Sequence, residues 1–173
     1  VCALSCPDKS TCFDETTFIC QSPAKDKVSY SDGNKCLSKC NGNDCYNDLF
    51  YCISPNKEAL SNNTGLNCVS KCSLPNCYNS SFICITPTED KISNNDGGEC
   101  DIQCSDKSKC YSDDYTCKVP SGENVSNFDG LKCTKRCNLL SQCYNSDFYC
   151  EAALSPQNIR TDGSCGACNA NEC

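Results

Sequence analysis

The residues able to do chemistry in this chain are its cysteines, and their spacing is regular. Cys2, Cys6, Cys12 and Cys20 form a first set, followed by Cys36, Cys40, Cys45 and Cys52, then Cys68, Cys72, Cys77 and Cys84. Cys100, Cys104, Cys110 and Cys117 form a fourth set, and Cys133, Cys137, Cys143 and Cys150 a fifth. Cys165, Cys168 and Cys173 begin a sixth. The pattern is C-x3-C-x(4,5)-C-x(6,7)-C, with 15 residues before each following set and 14 before Cys165. Thiols at this density can pair with one another, bind metal or act as nucleophiles. With 23 cysteines in 173 residues, cysteine makes up about 13% of the chain, above the about 8–10% that marks a disulfide scaffold.

The two rival chemistries fare poorly. Structural zinc usually takes C-x2-C pairs, often with His, yet the chain has no His. Only Cys165-Gly166-Ala167-Cys168 has that spacing. Recurrent Asp-Gly pairs suggest calcium, but no EF-hand ligand series follows them. No metal site and no cofactor is implied. The missing His also removes the commonest general base and the usual means of activating Ser or Cys. No phosphate-binding glycine loop or nucleophile elbow is present. Cysteines in regular pairs are structural, so the chain is not expected to be an enzyme.

Four cysteines allow three pairings per set. First with second would close a very small ring. The crossed pairing, first–third with second–fourth, is expected because it locks both the x3 turn and the segment between the third and fourth cysteines. The nested pairing, first–fourth with second–third, and bonds between repeats across the 15-residue connection remain open. The odd total is expected to reflect a sixth set whose fourth cysteine lies beyond Cys173. A cysteine paired to another chain is the competing account.

These cysteines belong to a repeated cassette with a period of 32 to 34 residues, best seen in Cys77-Tyr78-Asn79-Ser80-Ser81-Phe82-Ile83-Cys84. An aromatic follows each third cysteine (Phe13, Tyr46, Tyr78, Tyr111, Tyr144). Another stands two before each fourth (Phe18, Phe50, Phe82, Tyr115, Phe148). Two rings against two sulfurs read as a miniature core; the alternative is a ring platform for sugars or other ligands. The repeats are expected at 1–33, 34–65, 66–97, 98–130 and 131–163, with a partial sixth at 164–173.

The connections carry Pro three residues after the fourth cysteine at Pro23, Pro55, Pro87 and Pro120, and six after it at Pro156. They end in a turn signal: Asp32-Gly33, Thr64-Gly65, Asp96-Gly97, Asp129-Gly130, Asp162-Gly163. Gly accepts positive φ, and Asp bonds the backbone ahead of it. Apart from these positions their residues read as free to vary. Their constant length nonetheless argues for an ordered arm packed on the adjacent repeat, and nearest-neighbour packing of that kind makes a stiff array. Segments such as Phe148-Tyr149-Cys150 and Ile83-Cys84-Ile85 read as short strands. The x3 spacing fits one helical turn with both sulfurs on one face, or an irregular loop. No sustained helical period occurs. The fold class expected is therefore small disulfide-rich repeats, mostly irregular, with short β-hairpins and at most one helical turn per repeat, in an elongated rod-like tandem array.

Leu, Ile, Val and Phe together make up about 16% of the chain, below the about 20% needed for a substantial core, so cross-links must supply much of the order. They persist only in an oxidising compartment, and the chain is expected to be secreted or at a cell surface. Val1-Cys2 begins inside a repeat, as expected if a leader has been removed or the chain is a section of a longer protein. No run of about 18 apolar residues is present for direct membrane insertion. A net charge of −7 and a pI of about 4.5 disfavour nucleic acid, whose phosphates need a basic surface. Sequons at Asn62-Asn63-Thr64, Asn79-Ser80-Ser81 and Asn124-Val125-Ser126 are expected to carry covalent N-linked glycans on Asn62, Asn79 and Asn124. Ser22, Ser54, Thr86 and Ser155 lie next to prolines and are candidates for O-linked sugars.

The period, the C-x3-C sets and the Asn/Ser/Lys-rich background resemble the cysteine-rich tandem repeats of protist extracellular proteins. Ciliate surface (immobilisation) antigens and extracellular filament or mastigoneme proteins are the groups concerned. The resemblance spans the chain and implies an elongated coat or filament protein with no enzymatic role. Head-to-tail self-association is the expected partnership. A multivalent adhesin or lectin-like array is the second reading. A repeated protease inhibitor is the third, and it is disfavoured because the tips Asn47-Asp48-Leu49, Asn79-Ser80-Ser81 and Ser112-Asp113-Asp114 share no basic or large apolar residue.

Overall fold

A cysteine and an aromatic, a short polar stretch, then an aromatic and a cysteine are the makings of a tight hairpin. The computed structural model describes residues 5–155 and 158–166. Each aromatic-bearing segment folds as a two-stranded antiparallel hairpin. β1 (Cys12–Asp14) pairs with β2 (Ile19–Gln21), β3 (Cys45–Tyr46) with β4 (Cys52–Ile53), and β5 (Cys77–Tyr78) with β6 (Cys84–Ile85). β7 (Cys110–Tyr111) pairs with β8 (Cys117–Lys118), and β9 (Gln142–Tyr144) with β10 (Cys150–Ala152). No α-helix occurs among the described residues, and the four C-x3-C stretches that are fully described, 36–40, 68–72, 100–104 and 133–137, are irregular loops. The chain divides into two units, Val1–Ile85 and Thr86–Cys173.

The tip of each hairpin repeats one device. In the second hairpin, the N–H of Phe50 donates to Asn47 O at 2.8 Å, and the N–H of Asn47 donates to Tyr51 O at 2.9 Å. Phe50 thereby takes a left-handed conformation at φ 61°, as do Phe18, Phe82, Tyr115 and Phe148. Gly usually fills this position in a three-residue hairpin loop. A bulky residue there costs on the order of 1 kcal/mol or more. The ring contact offsets this: Tyr46 and Phe50 lie 5.9 Å apart, and the other four pairs lie 6.0 to 6.4 Å apart.

Hairpin register decides the disulfides. Tyr46 faces Cys52 and Cys45 faces Ile53. Facing residues share a side of the ribbon and neighbours alternate, so the third and fourth cysteines leave on opposite sides. The fourth bonds back to the second of its own set: Cys6–Cys20, Cys40–Cys52, Cys72–Cys84, Cys104–Cys117 and Cys137–Cys150. The third bonds forward to the first of the next set: Cys12–Cys36, Cys45–Cys68, Cys110–Cys133 and Cys143–Cys165. Cys77 and Cys100 are disulfide-bonded as well. The crossed expectation therefore gives way to a mixture of its second–fourth bond and the bond across the connection. The first cysteine is drawn to the outer edge of the preceding hairpin: Cys36 N–H donates to Phe13 O at 2.8 Å, and Phe13 N–H to Asn34 O at 3.0 Å. Cys2, Cys168 and Cys173, and the partial sixth repeat beyond 166, lie outside the described residues.

The connections work as arms. Four of them have ends that pair in parallel with the first strand of the hairpin they leave (Phe13 with Lys35, Tyr46 with Asn67, Tyr111 with Lys132, Tyr144 with Ser164). Four have middles that pair in parallel with the residue just ahead of the second strand of the hairpin they approach (Ser29 with Tyr51, Ser61 with Ile83, Ser93 with Thr116, Ser126 with Tyr149). The aliphatic residues before those serines, Val28, Leu60, Ile92 and Val125, are the largest of the fully buried side chains. Val28 packs with Cys40, Tyr46 and Cys52, and Ile92 with Cys104 and Cys117. The core is thus centred on the arm and the sulfurs, with most rings only half-buried beside it. The turn glycine closes the arm. At Gly33, with φ of 71°, an added Cβ would stand 2.5 Å from the carbonyl oxygen of Cys6, whose N–H donates to Gly33 O at 2.7 Å.

Replacing Leu60 with Ala is expected to destabilise the first unit by about 2–5 kcal/mol, the range for deleting a fully buried Leu. The exposed Leu49→Ala is expected to stay within about 0.5 kcal/mol, as read by guanidinium denaturation of each variant. Limited cleavage at the exposed Lys57 tests the pairing. The two pieces are expected to stay joined through Cys45–Cys68 in denaturant and to separate only with reductant. Separation without reductant would contradict the bond across the connection.

Candidate functional site

The repeating surface, built from hairpin tip, ring pair and arm, is the place where any recognition would occur. The residue after the first aromatic caps the tip. Asn47 Oδ1 accepts the N–H groups of Leu49 at 3.0 Å and Tyr51 at 3.1 Å. Asn79 does the same for Ser81 at 2.9 Å and Ile83 at 3.2 Å, and Asn145 for Asp147 at 3.0 Å and Tyr149 at 3.1 Å. Short polar side chains suit this role because they mimic a backbone turn. Asn79 therefore has a structural reason to be Asn, shared with Asn47 and Asn145, which lie in no sequon.

The first and fourth repeats use a carboxylate instead. Asp14 is buried and its Oδ1 accepts Thr16 N–H at 2.7 Å and Thr17 N–H at 3.2 Å. Its Oδ2 accepts Gln21 Nε2 at 2.6 Å and lies 3.2 Å from Lys27 Nζ. The Thr16 N–H, opposed by burial and reinforced by Thr17 N–H and the Lys27 ammonium, lowers the carboxyl pKa to about 2. In the fourth repeat burial works against the charge of Asp114, but Lys118 and the Ser112 and Thr116 hydroxyls overcome it and hold its pKa well below the usual range.

The other two sequons sit on arms. Asn62 is exposed and follows the buried Ser61. Asn124 is exposed in a turn with Ser121, while Val125 and Ser126 behind it are buried. Folding thus hides two of that sequon's three residues. A glycan at Asn124 would have to be added before the arm docks.

The aliphatic–Ser pairs Val28-Ser29, Leu60-Ser61, Ile92-Ser93 and Val125-Ser126 were not expected as functional residues, since the connections read as free to vary. Each stands eight residues before the next first cysteine, and that fixed offset is the signal that finds them. Each serine is buried as its backbone completes a sheet, and in three of the four the hydroxyl satisfies the turn beyond it, Ser29 Oγ instead donating to Tyr30 O at 2.7 Å. Ser61 Oγ accepts Asn63 N–H at 3.0 Å, Ser93 Oγ accepts Asn95 N–H at 3.0 Å, and Ser126 Oγ accepts Phe128 N–H at 3.2 Å.

Beside the second ring pair lies a shallow groove of about 370 Å³, lined by Lys25, Tyr46, Asn47, Asp48, Phe50 and Asn67. Among the described residues no group of three or more Cys, Asp, Glu or His is placed to hold a metal ion, and no helix is long and apolar enough to cross a membrane. No protein-family model, curated protein or solved structure matches the chain.

The Asp14 carboxylate gives a pH test. Its folded pKa of about 2 lies below the unfolded value of about 3.9. The charged form therefore stabilises the fold above about pH 4, and that contribution fades as pH falls towards 2. Asp14→Asn keeps the capping oxygen and loses the charge. Its melting temperature is expected to lie below that of the unsubstituted chain at pH 7, with the gap closing between about pH 4 and 2. An equal gap at both ends of that range would contradict the assignment.

Proposed function

We infer that the chain is a structural extracellular protein: a disulfide-stapled, glycosylated repeat array that forms part of a cell-surface coat or extracellular filament and has no catalytic role. The observation that carries this reading is the forward disulfide. Within each unit, Cys12–Cys36, Cys45–Cys68, Cys110–Cys133 and Cys143–Cys165 tie one repeat to the next. Tension along such an array meets covalent bonds at each of those junctions, so one arm cannot peel from its neighbour while they are intact. Every cysteine among the described residues is disulfide-bonded, which fits an oxidising compartment. The resemblance to protist surface antigens and filament proteins points to the same class.

A second reading, a multivalent binding array, draws on the half-exposed ring pairs and on the groove beside Tyr46 and Phe50. Equivalent weak sites on one chain gain avidity without new contacts. A glycan-array screen with the intact chain decides this reading, with Tyr46→Ala as the variant that should lose any signal.

The decisive experiment is electron microscopy of the native material, with mass spectrometry before and after deglycosylation. Regular fibres or a two-dimensional layer, and a mass loss on deglycosylation, are the expected results. Dispersed single molecules of unchanged mass would overturn the coat and filament reading.

A further inference from the structure

The three sequons differ in what folding does to them. In Asn79-Ser80-Ser81 the tip cap uses the asparagine oxygen, which accepts Ser81 N–H at 2.9 Å and Ile83 N–H at 3.2 Å. The cap leaves out Nδ2, the atom that takes a sugar, and Ser80 and Ser81 are exposed. Asn62, Asn63 and Thr64 are all exposed as well. In both sequons the hydroxyl of the third residue stays at the surface of the folded chain.

Asn124-Val125-Ser126 is placed differently. Asn62 stands one residue after the arm serine Ser61, whereas Asn124 stands two before the arm serine Ser126. That shift lays the sequon over the aliphatic–Ser pair of its arm. Val125 is 2% and Ser126 0% exposed. Val125 exchanges hydrogen bonds with Thr134, its N–H donating at 2.7 Å and its C=O accepting at 3.1 Å. Ser126 N–H donates to Phe148 O at 3.0 Å, and Cys150 N–H donates to Ser126 O at 2.8 Å. Ser126 Oγ accepts Phe128 N–H at 3.2 Å. Asn124 itself is exposed, so a sugar already in place projects into solvent.

We propose that Asn124 is a glycosylation site whose occupancy is set by competition with closure of the fifth hairpin, while occupancy at Asn62 and Asn79 is independent of folding. This deepens the glycosylated-array reading and rests on it. Transfer uses an oligosaccharide linked to a lipid diphosphate. The bond from the anomeric carbon to a diphosphate oxygen breaks, a bond from that carbon to Asn124 Nδ2 forms, and an amide proton is released. The acceptor motif requires the Ser hydroxyl as well as the Asn. That hydroxyl is withdrawn once Phe148 and Cys150 pair with Ser126, and the strand carrying them is tied down by Cys137–Cys150. Cys150 lies 26 residues after Asn124, a length that synthesis at about 5–20 residues per second covers in about 1–5 s. Disulfide formation takes seconds or longer. The two steps therefore run on one timescale, and the oxidising strength of the compartment decides how many chains carry a sugar at Asn124.

The test is occupancy at each sequon, read by mass spectrometry of peptides from the intact chain made in the secretory pathway of a eukaryotic host. Cells and medium are both sampled, so a variant that fails to fold still gives a reading. Synthesis with and without dithiothreitol is compared for the unsubstituted chain. Cys137→Ser with Cys150→Ser opens the fifth hairpin, and Cys72→Ser with Cys84→Ser opens the third, which covers the arm that carries Asn62. The unsubstituted chain is expected to be partly occupied at Asn124 and more fully at Asn62 and Asn79. Dithiothreitol, and the pair of substitutions in the fifth hairpin, should each raise occupancy at Asn124 at least about twofold by delaying closure. The pair in the third hairpin should leave Asn62 and Asn124 unchanged. Occupancy at Asn124 that is already complete, or that ignores both treatments, would overturn the proposal while sugars at Asn62 and Asn79 upheld the glycosylated reading. An equal rise at all three sequons would overturn it too. A chain with no sugar at any sequon under any condition overturns both.

Discussion

The structure depends on a one-residue offset. In every hairpin the fourth cysteine faces the first aromatic and not the third cysteine. Strand alternation then sends the two sulfurs to opposite sides. One side turns inward to close a repeat, and the other turns outward towards the next. Had the register placed third opposite fourth, the two could have bonded directly and each cassette would have been a closed bead. The added residue in the first tip, where seven residues separate Cys12 from Cys20, leaves the rule intact because the loop absorbs it. The pairing is still Phe13 with Cys20.

The energetics follow from that division. Backward bonds span 12 to 14 residues and forward bonds 22 to 24. By the chain-entropy argument each contributes about 3 kcal/mol, the longer loops slightly more. One deeply buried aliphatic side chain per junction adds about 1.5–3 kcal/mol. The two are also coupled. The forward disulfide fixes the start of the next set against the hairpin, and the bridges Val28 to Leu37 and Leu60 to Val69 pin the arm to the same place. Order therefore belongs to the junction between repeats more than to the repeat itself.

This explains which parts of the fold were legible in the sequence. Cysteine spacing and paired aromatics report contacts within a few residues, so the hairpins and the turn glycines could be read directly, and the second–fourth bonds only as half of an expected crossed pairing. The constant length of the connections reported an ordered arm, but which residues it pairs with, and the choice of the forward bond among the pairings left open, depend on contacts between successive sets that no local periodicity encodes. Assigning the core to the rings was a reasonable inference from size, but a ring at φ near 60° on a hairpin tip is held at the surface. The small aliphatic residue on the arm lies where two elements close over it. Its signature is a fixed offset from a cysteine in the following set, visible only when the connections are aligned on the cysteine that follows them. The sequons were legible as motifs, but not the tip-capping role of Asn79 or the burial of Ser126, since both depend on backbone bonds.

The same geometry separates constrained from free positions, and that bears on the functional readings. The arm pair, the turn glycine, both rings and the tip cap recur because each closes a backbone hydrogen bond or fills a junction. Positions such as Asp48, Leu49 and Ser80 project from tips without such work, and their side chains share no chemistry. A binding array would be expected to repeat its contact residues at the tips, and a scaffold to repeat only its fasteners. What recurs here is the set of fasteners, extended to buried serines whose hydroxyls serve the chain's own turns. That distribution favours the proposed scaffold over an array whose repeats each hold a ligand.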